Sequence, residues 1–246
     1  MNIKKLSSKV VEKLGYYVYL YRYPLDGPVF YVGKGKGSRI LTHLNDKSES
    51  RKVEIIEKIR KNGAEPVIEI LVHGLQDEMT ALRIEAAVID LLGVKSLANQ
   101  VRGYGSGVVG RVEIKQLIAM YDSDPVEVDE PAILIRVNKL YRYGMTAEEL
   151  YEATRGVWKL GERRLGAKYA FAVYKGIVRE AYEIGKWHPA GTTRYRTRSR
   201  DDVKAPGRWE FEGKLASDVI RRRYIDKSVD RHFAGNSQNP ITYVNC

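Results

Sequence analysis

The stretch that decides the fold is residues 16–37, which read YYVYLYRYPLDGPVFYVGKGKG. Two runs of aromatic and β-branched residues, 16–23 and 29–32, favour β-strands. The segment 24–28 between them contains Pro, Asp and Gly and is typical of a turn. The sequence therefore predicts a β-hairpin, and a glycine-rich loop with two cations, Lys34 and Lys36, follows it.

The rest of the chain divides at the acidic segment 122–131, which contains two prolines and shows no helical period. We expect an exposed linker there, between domains at 1–121 and 132–246. Before the linker the patterns predict helices near 38–44, 50–61 and 77–92 and a strand near 66–72. After it they predict strands near 132–137, 168–175, 177–184, 208–212 and 241–245, and a capping box opens a helix near Thr146 and Glu149. The expected fold class is α+β.

Composition limits the kind of protein. The 246 residues include 43% hydrophobic and 30% charged residues, as in an ordinary globular protein. No apolar run approaches the ~18 residues of a membrane span, and the N-terminus lacks the apolar core of a signal peptide. One cysteine and four histidines argue against disulfides and a zinc site. We therefore expect a cytoplasmic protein without membrane contact.

The positive charge is concentrated in the second half of the chain. Residues 1–130 carry 19 Lys and Arg against 18 Asp and Glu, whereas residues 131–246 carry 23 against 13. All three tryptophans also lie in the second half. Such a surface favours a polyanionic partner, with an ordinary soluble basic face as the alternative.

Several residues of the first half could carry chemistry. Arg39 and His43 are four apart and share one face of the expected helix. Glu85 lies on an apolar stripe, where a carboxylate is costly unless it is paired or binds a cation. Each feature has a structural alternative: strand tyrosines are often core residues, the Gly-Lys repeat can be a plain turn, Arg39 and His43 can decorate a solvated helix, and Glu85 can form a buried ion pair.

The order of these features resembles the GIY-YIG nuclease superfamily. Its two signature triplets correspond to residues 17–19 and 31–33, and its arginine, histidine, glutamate and asparagine to Arg39, His43, Glu85 and Asn99. The resemblance covers roughly residues 15–110 and implies a small mixed sheet flanked by helices. Two departures are a Tyr in place of the first Gly and a short loop between Gly33 and Arg39.

The resemblance implies a DNA endonuclease. Glu85 would hold one Mg²⁺ or Mn²⁺, and Arg39 would clamp the phosphate that is cut. Tyr19 would be the general base, and a nearby cation (Lys34 or Lys36) or the metal would have to lower the pKa of its phenol from about 10. Tyr31 and His43 would orient the water or the phosphate. Asn99 would hold the fold or the DNA backbone.

The second half is weakly similar to PUA-like barrels, and this likeness implies an aromatic pocket for a base flipped out of double-stranded DNA. The basic run 192–200 is expected to be mobile until a ligand orders it. The candidate rings are Trp158, Trp187, Tyr195, Trp209 and Phe211, and the candidate phosphate contacts are Arg155, Arg194, Arg196, Arg198 and Arg200.

Three functions remain open at this point. The favoured one is a restriction-type endonuclease with a C-terminal domain that reads DNA, including modified bases. The second is a structure-specific repair or recombination nuclease, and the third is a non-catalytic nucleic-acid-binding protein on a degenerate nuclease scaffold. One active site per chain would require a homodimer on DNA or two successive nicks to cut both strands.

Overall fold

The computed structural model describes residues 5–46, 48–99, 101, 103–233 and 239–246. The chain forms two compact units, Met1–Arg111 and Val112–Cys246. Within the described residues, no helix combines the length and the apolar character needed to cross a membrane.

The N-terminal unit contains a three-stranded sheet with the order β2-β1-β3. Both strand pairs are antiparallel, so the mixed sheet that the family resemblance implied is wrong for this unit. The predicted hairpin is confirmed, and its second strand extends further than expected, through Lys36. The elements are α1 (Ser8–Leu14), β1 (Tyr16–Arg22), β2 (Val29–Lys36), α2 (Arg39–Leu44), α3 (Arg51–Lys61), β3 (Val67–Leu75), α4 (Glu78–Leu92) and α5 (Ser106–Val109).

Helices cover both faces of this sheet, because β1 is apolar on both sides. Its odd-numbered tyrosines pack with Ile40 of α2 and Ile56 of α3. Val18 and Leu20 face the other way and pack with residues of α4. The central strand is therefore buried between two helical layers, and β2 forms one edge of the sheet.

The C-terminal unit contains a five-stranded sheet with the order β7-β6-β5-β4-β8. Strands β4 and β5 are parallel and the other pairs are antiparallel. The sheet is open within the described residues, so the expected barrel is wrong. The elements are α6 (Ile114–Asp122), β4 (Ala132–Arg136), α7 (Ala147–Arg155), β5 (Tyr169–Tyr174), β6 (Ile177–Pro189), α8 (Arg200–Val203), β7 (Trp209–Leu215), α9 (Asp218–Tyr224) and β8 (Ile241–Val244).

The acidic segment 122–131, expected to be an exposed linker, lies within the C-terminal unit. Val128 is buried in the same hydrophobic cluster as Tyr224, and the Val126 amide donates to the Ser228 carbonyl at 2.9 Å. Alternating valines and acids let one side of the segment pack while the other remains in water. The capping box that opens α7 is confirmed, with Thr146 and Glu149 bonded reciprocally.

Candidate active site

The site is built at the free edge of β2, where backbone groups have no neighbouring strand. Glu85 on α4 accepts a hydrogen bond from the Lys34 amide at 2.9 Å. Asn99 donates to the Val32 carbonyl at 2.8 Å and accepts from the Val32 amide at 3.0 Å. These two side chains satisfy edge groups that would otherwise remain open. Asn99 therefore holds the fold at the site.

Two glycines of β2 make room for two tyrosine rings of β1. Tyr19 is paired with Gly33 across the strands, and Tyr17 with Gly35. A Cβ at Gly33 would lie 2.6 Å from the Tyr19 hydroxyl, and one at Gly35 would lie 2.8 Å from that of Tyr17. Tyr17 replaces the family's first glycine in this chain, and Gly35 accommodates the ring that this replacement adds.

Tyr19 and His43 form a hydrogen-bonded pair with 2.9 Å between the phenol oxygen and Nδ1. Burial, together with the neighbouring hydroxyls of Tyr21 and Tyr31, raises the pKa of Tyr19 above its usual range. The expectation that a cation lowers the pKa of this phenol is therefore wrong for the free protein. Burial, and then the charges of Lys52 and Arg39, lower the pKa of His43. Both members are consequently neutral at pH 7.

Glu85 is half-buried. Burial raises the pKa of its carboxyl, and the Lys34 amide and the charges of Lys34 and Arg39 oppose this effect. The alternative of a buried ion pair does not hold, because within the described ranges Glu85 forms no ion pair with an arginine. The carboxylate in turn raises the pKa of Tyr31, after burial as the larger cause. Glu85 and Tyr31 line one cleft of about 440 Å³, here called the Glu85 cleft.

The cations of the predicted site line a second cleft of about 480 Å³, here called the basic cleft. Arg39 is exposed there beside His43. Lys34 forms an ion pair with Glu78, and the Lys36 ammonium lies 4.7 Å from the ring centroid of Tyr16. Among the described residues, no hydrogen bond or cation–π contact joins either lysine to Tyr19. The backbone of Lys34 joins the two clefts, because its amide is bonded to Glu85.

The residues at the Glu85 cleft fit a hard divalent cation. One carboxylate oxygen is bonded to the Lys34 amide, and the other has no hydrogen-bond partner within the described residues. No group of three His, Cys, Asp or Glu side chains suited to a metal occurs among the described residues. A bound ion would therefore keep water and substrate oxygens as most of its ligands, which is the usual behaviour of Mg²⁺.

In the C-terminal unit, two buried carboxylates hold the basic loop, residues 192–200. Glu210 is fully buried and accepts from the Thr193 amide at 2.8 Å and from the Tyr195 hydroxyl at 3.0 Å. Glu152 accepts from the Arg196 amide at 2.6 Å. Burial acts to raise the pKa of both carboxyls, but their hydrogen bonds outweigh it and leave each pKa lowered. The expectation of a mobile loop is therefore wrong.

Arg155, predicted to contact phosphate, instead acts inside the unit. It is 3% exposed, and its guanidinium donates to the Thr193 hydroxyl at 2.9 Å and to the Arg194 carbonyl at 2.7 Å. The same group lies 3.9 Å from the ring centroid of Tyr195. Arg155 therefore holds the basic loop from inside the unit, and its guanidinium is not available to a ligand at the surface.

The three tryptophans pack against the hydrophobic cluster on the α7 side of the sheet. The indole of Trp158 donates to the Thr154 carbonyl at 2.7 Å, and that of Trp187 to the Arg164 carbonyl at 3.0 Å. The Arg164 guanidinium lies over Trp209, and its central carbon is 3.5 Å from the centroid of the indole ring. These contacts favour the structural alternative for the tryptophans, and Tyr195 is likewise held by its hydrogen bond to Glu210.

The remaining loop arginines differ in availability. Arg194 and Arg200 are exposed, and Arg196 is 70% exposed beside Glu148. Arg198 donates to the Gly156 carbonyl at 2.7 Å and is half-buried. Sequence reasoning missed the carboxylates that hold this loop. The signal available for them was weak, because each glutamate reads as one more charged residue in a polar stretch.

The small sheet between two helical layers, with Tyr31, Arg39, His43 and Glu85 placed around the edge of β2, is consistent with a domain similar to the GIY-YIG nucleases. Residues 27–119 match the family described as the LEM-3-like GIY-YIG domain, which is less than half of the chain. Comparisons with curated proteins and with solved structures found no significant match.

Proposed function

We propose that the protein is a metal-dependent DNA endonuclease with a restriction-type role, whose C-terminal unit contacts duplex DNA through the basic loop. The observation that carries the proposal is Glu85: a half-buried carboxylate, bonded to the Lys34 amide, with one oxygen left for a cation. A glutamate that served only the fold would be paired with a basic side chain here, whereas Glu85 borders an open cleft.

The chemistry of the site follows from charge. Hydrolysis of a phosphodiester builds negative charge on the phosphoryl oxygens, and the exposed Arg39 can bind two of these oxygens with its planar guanidinium. A divalent ion held by Glu85 would supply further positive charge there. Lys36 lines the same cleft as Arg39 and adds to the attraction for the DNA backbone.

Proton transfer is assigned to the Tyr19–His43 pair. A free phenolate is disfavoured in this buried place, so we infer that Tyr19 takes the proton of the attacking water while its own hydroxyl proton passes to Nδ1 of His43. The pair then carries its positive charge on the imidazole. Tyr19 is fully covered in the free protein, and bound DNA has to move the side chains over it.

The basic loop supports DNA contact by the C-terminal unit. Its backbone is fixed before any ligand binds, so its arginines lose little conformational entropy on binding. The guanidinium groups of Arg194 and Arg200 are exposed and suit phosphate oxygens, which accept most of the hydrogen bonds that proteins make to DNA. We assign them to the DNA backbone, along with Arg196.

The test is digestion of supercoiled plasmid with and without Mg²⁺, using methylated, hydroxymethylated and unmodified DNA side by side. Metal-dependent cutting that depends on the modification state supports the restriction-type proposal. Equal cutting of all three plasmids would remove that role, and preferential cutting of branched or flapped DNA would favour a repair nuclease. Full-length linear product formed without a nicked intermediate would indicate two protomers on the DNA.

A further inference from the structure

Lys52 is a buried cation at the nuclease centre to which the proposed chemistry gives no role. It lies in the first turn of α3 and is only 6% exposed. Its side chain lines the Glu85 cleft together with Tyr31 and Glu85. The ammonium lies 5.4 Å from the ring centroid of Tyr31. A lysine is seldom buried this deeply without a specific partner.

The partner of Lys52 is Asp46, at 3.1 Å between Nζ and Oδ2. The Asp46 side chain is 36% exposed, against 8% for that of Lys52. Hydrogen bonds from Ser48 and then from Lys52 lower the pKa of Asp46 to about 2, so its carboxyl is ionised at neutral pH. Within the part of the chain that the structure describes, Asp46 is the one hydrogen-bond acceptor of this ammonium. Donors therefore remain for a further oxygen.

Among its described lining residues, the Glu85 cleft has more acidic than basic side chains. Asp46 and Glu85 both line it, and Lys52 is the one cation among its described lining residues. A phosphodiester that approached the cleft would meet two carboxylates and an ammonium already engaged by one of them. Binding of a phosphate oxygen becomes favourable when that ammonium is released from Asp46.

We propose that Lys52 is a second phosphate-binding cation of the nuclease centre, and that Asp46 occupies it until a DNA phosphate takes its place. The inference rests on the proposed function, since it concerns the same cleft. Exchange of one anion for another keeps the buried ammonium paired, so the large cost of an unpaired buried charge is avoided. Asp46 is the member that leaves, because it is the more exposed of the two.

The test measures binding of a 20-base-pair duplex to the full-length protein in metal-free buffer at several salt concentrations. We expect Lys52→Met to weaken binding by about tenfold and to reduce the salt slope by about 0.9, the value for one phosphate contact. Lys52→Arg should bind within about twofold of the wild type. Asp46→Asn should bind more tightly than the wild type, because it removes the competing anion. The control is Lys58→Met, an equal charge change at an exposed position of the same helix.

Binding by Lys52→Met equal to that of Lys58→Met would overturn the proposal. So would an Asp46→Asn variant that binds as weakly as Lys52→Met, since the pair would then serve the fold alone. If Lys52→Met shows no thermal unfolding transition, Asp46→Asn decides: tighter binding supports the proposal and unchanged binding overturns it. A wild-type protein that binds DNA but never cuts it would contradict the proposed function and leave this comparison intact.

Discussion

Tyr19 and His43 form a pair in which neither side chain is charged at neutral pH. The same burial that raises the pKa of the phenol lowers that of the imidazole. A proton can therefore move between them without either residue first becoming an isolated buried ion. This distinguishes the pair from a free phenolate base, which the same surroundings would destabilise.

Replacement of Tyr19 by Phe removes the hydroxyl and leaves the ring in place. We expect plasmid cleavage to slow by about 10²- to 10⁴-fold, the usual contribution of a general base. The midpoint of thermal unfolding should change little, because one hydrogen bond contributes only about 1 kcal/mol. Tyr23→Phe is the matched control and should cleave at the wild-type rate. A cleavage rate of Tyr19→Phe equal to that of this control would exclude Tyr19 as the base.

The acid side of the pH–rate profile should report His43. Only the neutral imidazole can accept the Tyr19 proton, and its pKa lies below 6.5. We therefore expect cleavage to persist at pH 6.5 and to fall in more acidic buffer. The imidazole has a pKa of 6.5 in the unfolded chain and a lower one in the folded protein. Between these two values the unfolded state binds more protons than the folded state, so the free energy of unfolding also falls as the pH decreases. A rate that already declines above pH 7 would contradict this assignment.

Individual residues of the site were predictable where the pattern itself is unusual. Glu85 stood out because a carboxylate on an apolar stripe needs an explanation, and its position beside the β2 edge agrees with that reasoning. Lys52 and Asp46 gave no such signal. They are six residues apart and become partners only when the turn before α3 brings Asp46 back to the cleft.

Strands β1 and β2 form one functional element, because the rings of Tyr17 and Tyr19 each depend on a glycine opposite to them. Tyrosines at 17 and 19 and glycines at 33 and 35 have the same spacing, which could have predicted that each tyrosine faces a glycine. It was not, because strand register is set by contacts across the hairpin and cannot be counted along one strand. The register places Tyr19 opposite Gly33.

Gly33→Ala tests this dependence. The added methyl group would lie 2.6 Å from the Tyr19 hydroxyl, so the ring must move and its hydrogen bond to His43 is disturbed. We expect cleavage to fall by at least about tenfold and stability by about 1–3 kcal/mol, as for other overpacked cores. Gly161→Ala is the control, since its Cβ would meet nothing within 4 Å. Wild-type cleavage by Gly33→Ala would show that the hydroxyl position is not critical.

For the basic loop, the sequence predicted less structure than the protein has. Nine residues with four arginines and no apolar anchor predict a loop without fixed structure. The anchors are Glu152 and Glu210, which lie in other elements and bind the loop through its backbone amides. Composition describes the side chains of a segment, and it says nothing of partners for its backbone.

The two halves of the chain differ in net charge. Nearly all of the excess positive charge lies in the C-terminal half, although the candidate active site lies in the N-terminal unit. The sequence predicted the α+β class correctly, because this class depends on periodicity over long segments. The open sheet was not predicted, because the same strands could equally close into a barrel.

This division predicts the salt dependence of DNA binding. The double variant Arg194→Ala, Arg200→Ala should reduce the slope of log K against log salt by about 1.8, since each lost phosphate contact removes about 0.9. Arg222→Ala with Arg231→Ala removes equal charge from exposed positions elsewhere on the unit and should leave the slope nearly unchanged. Equal slopes for the two double variants would show that only net charge matters.

Glu85→Gln tests the nuclease centre most directly. The amide keeps an acceptor for the Lys34 amide and loses the charge that would hold a cation. With Mg²⁺ and supercoiled plasmid, we expect the variant to lose at least about 10³-fold in cleavage rate while it binds the DNA as the wild type does. Glu57→Gln, an exposed carboxylate on α3, should cleave normally. Cleavage by Glu85→Gln at the rate of Glu57→Gln would contradict a metal-dependent centre at this residue.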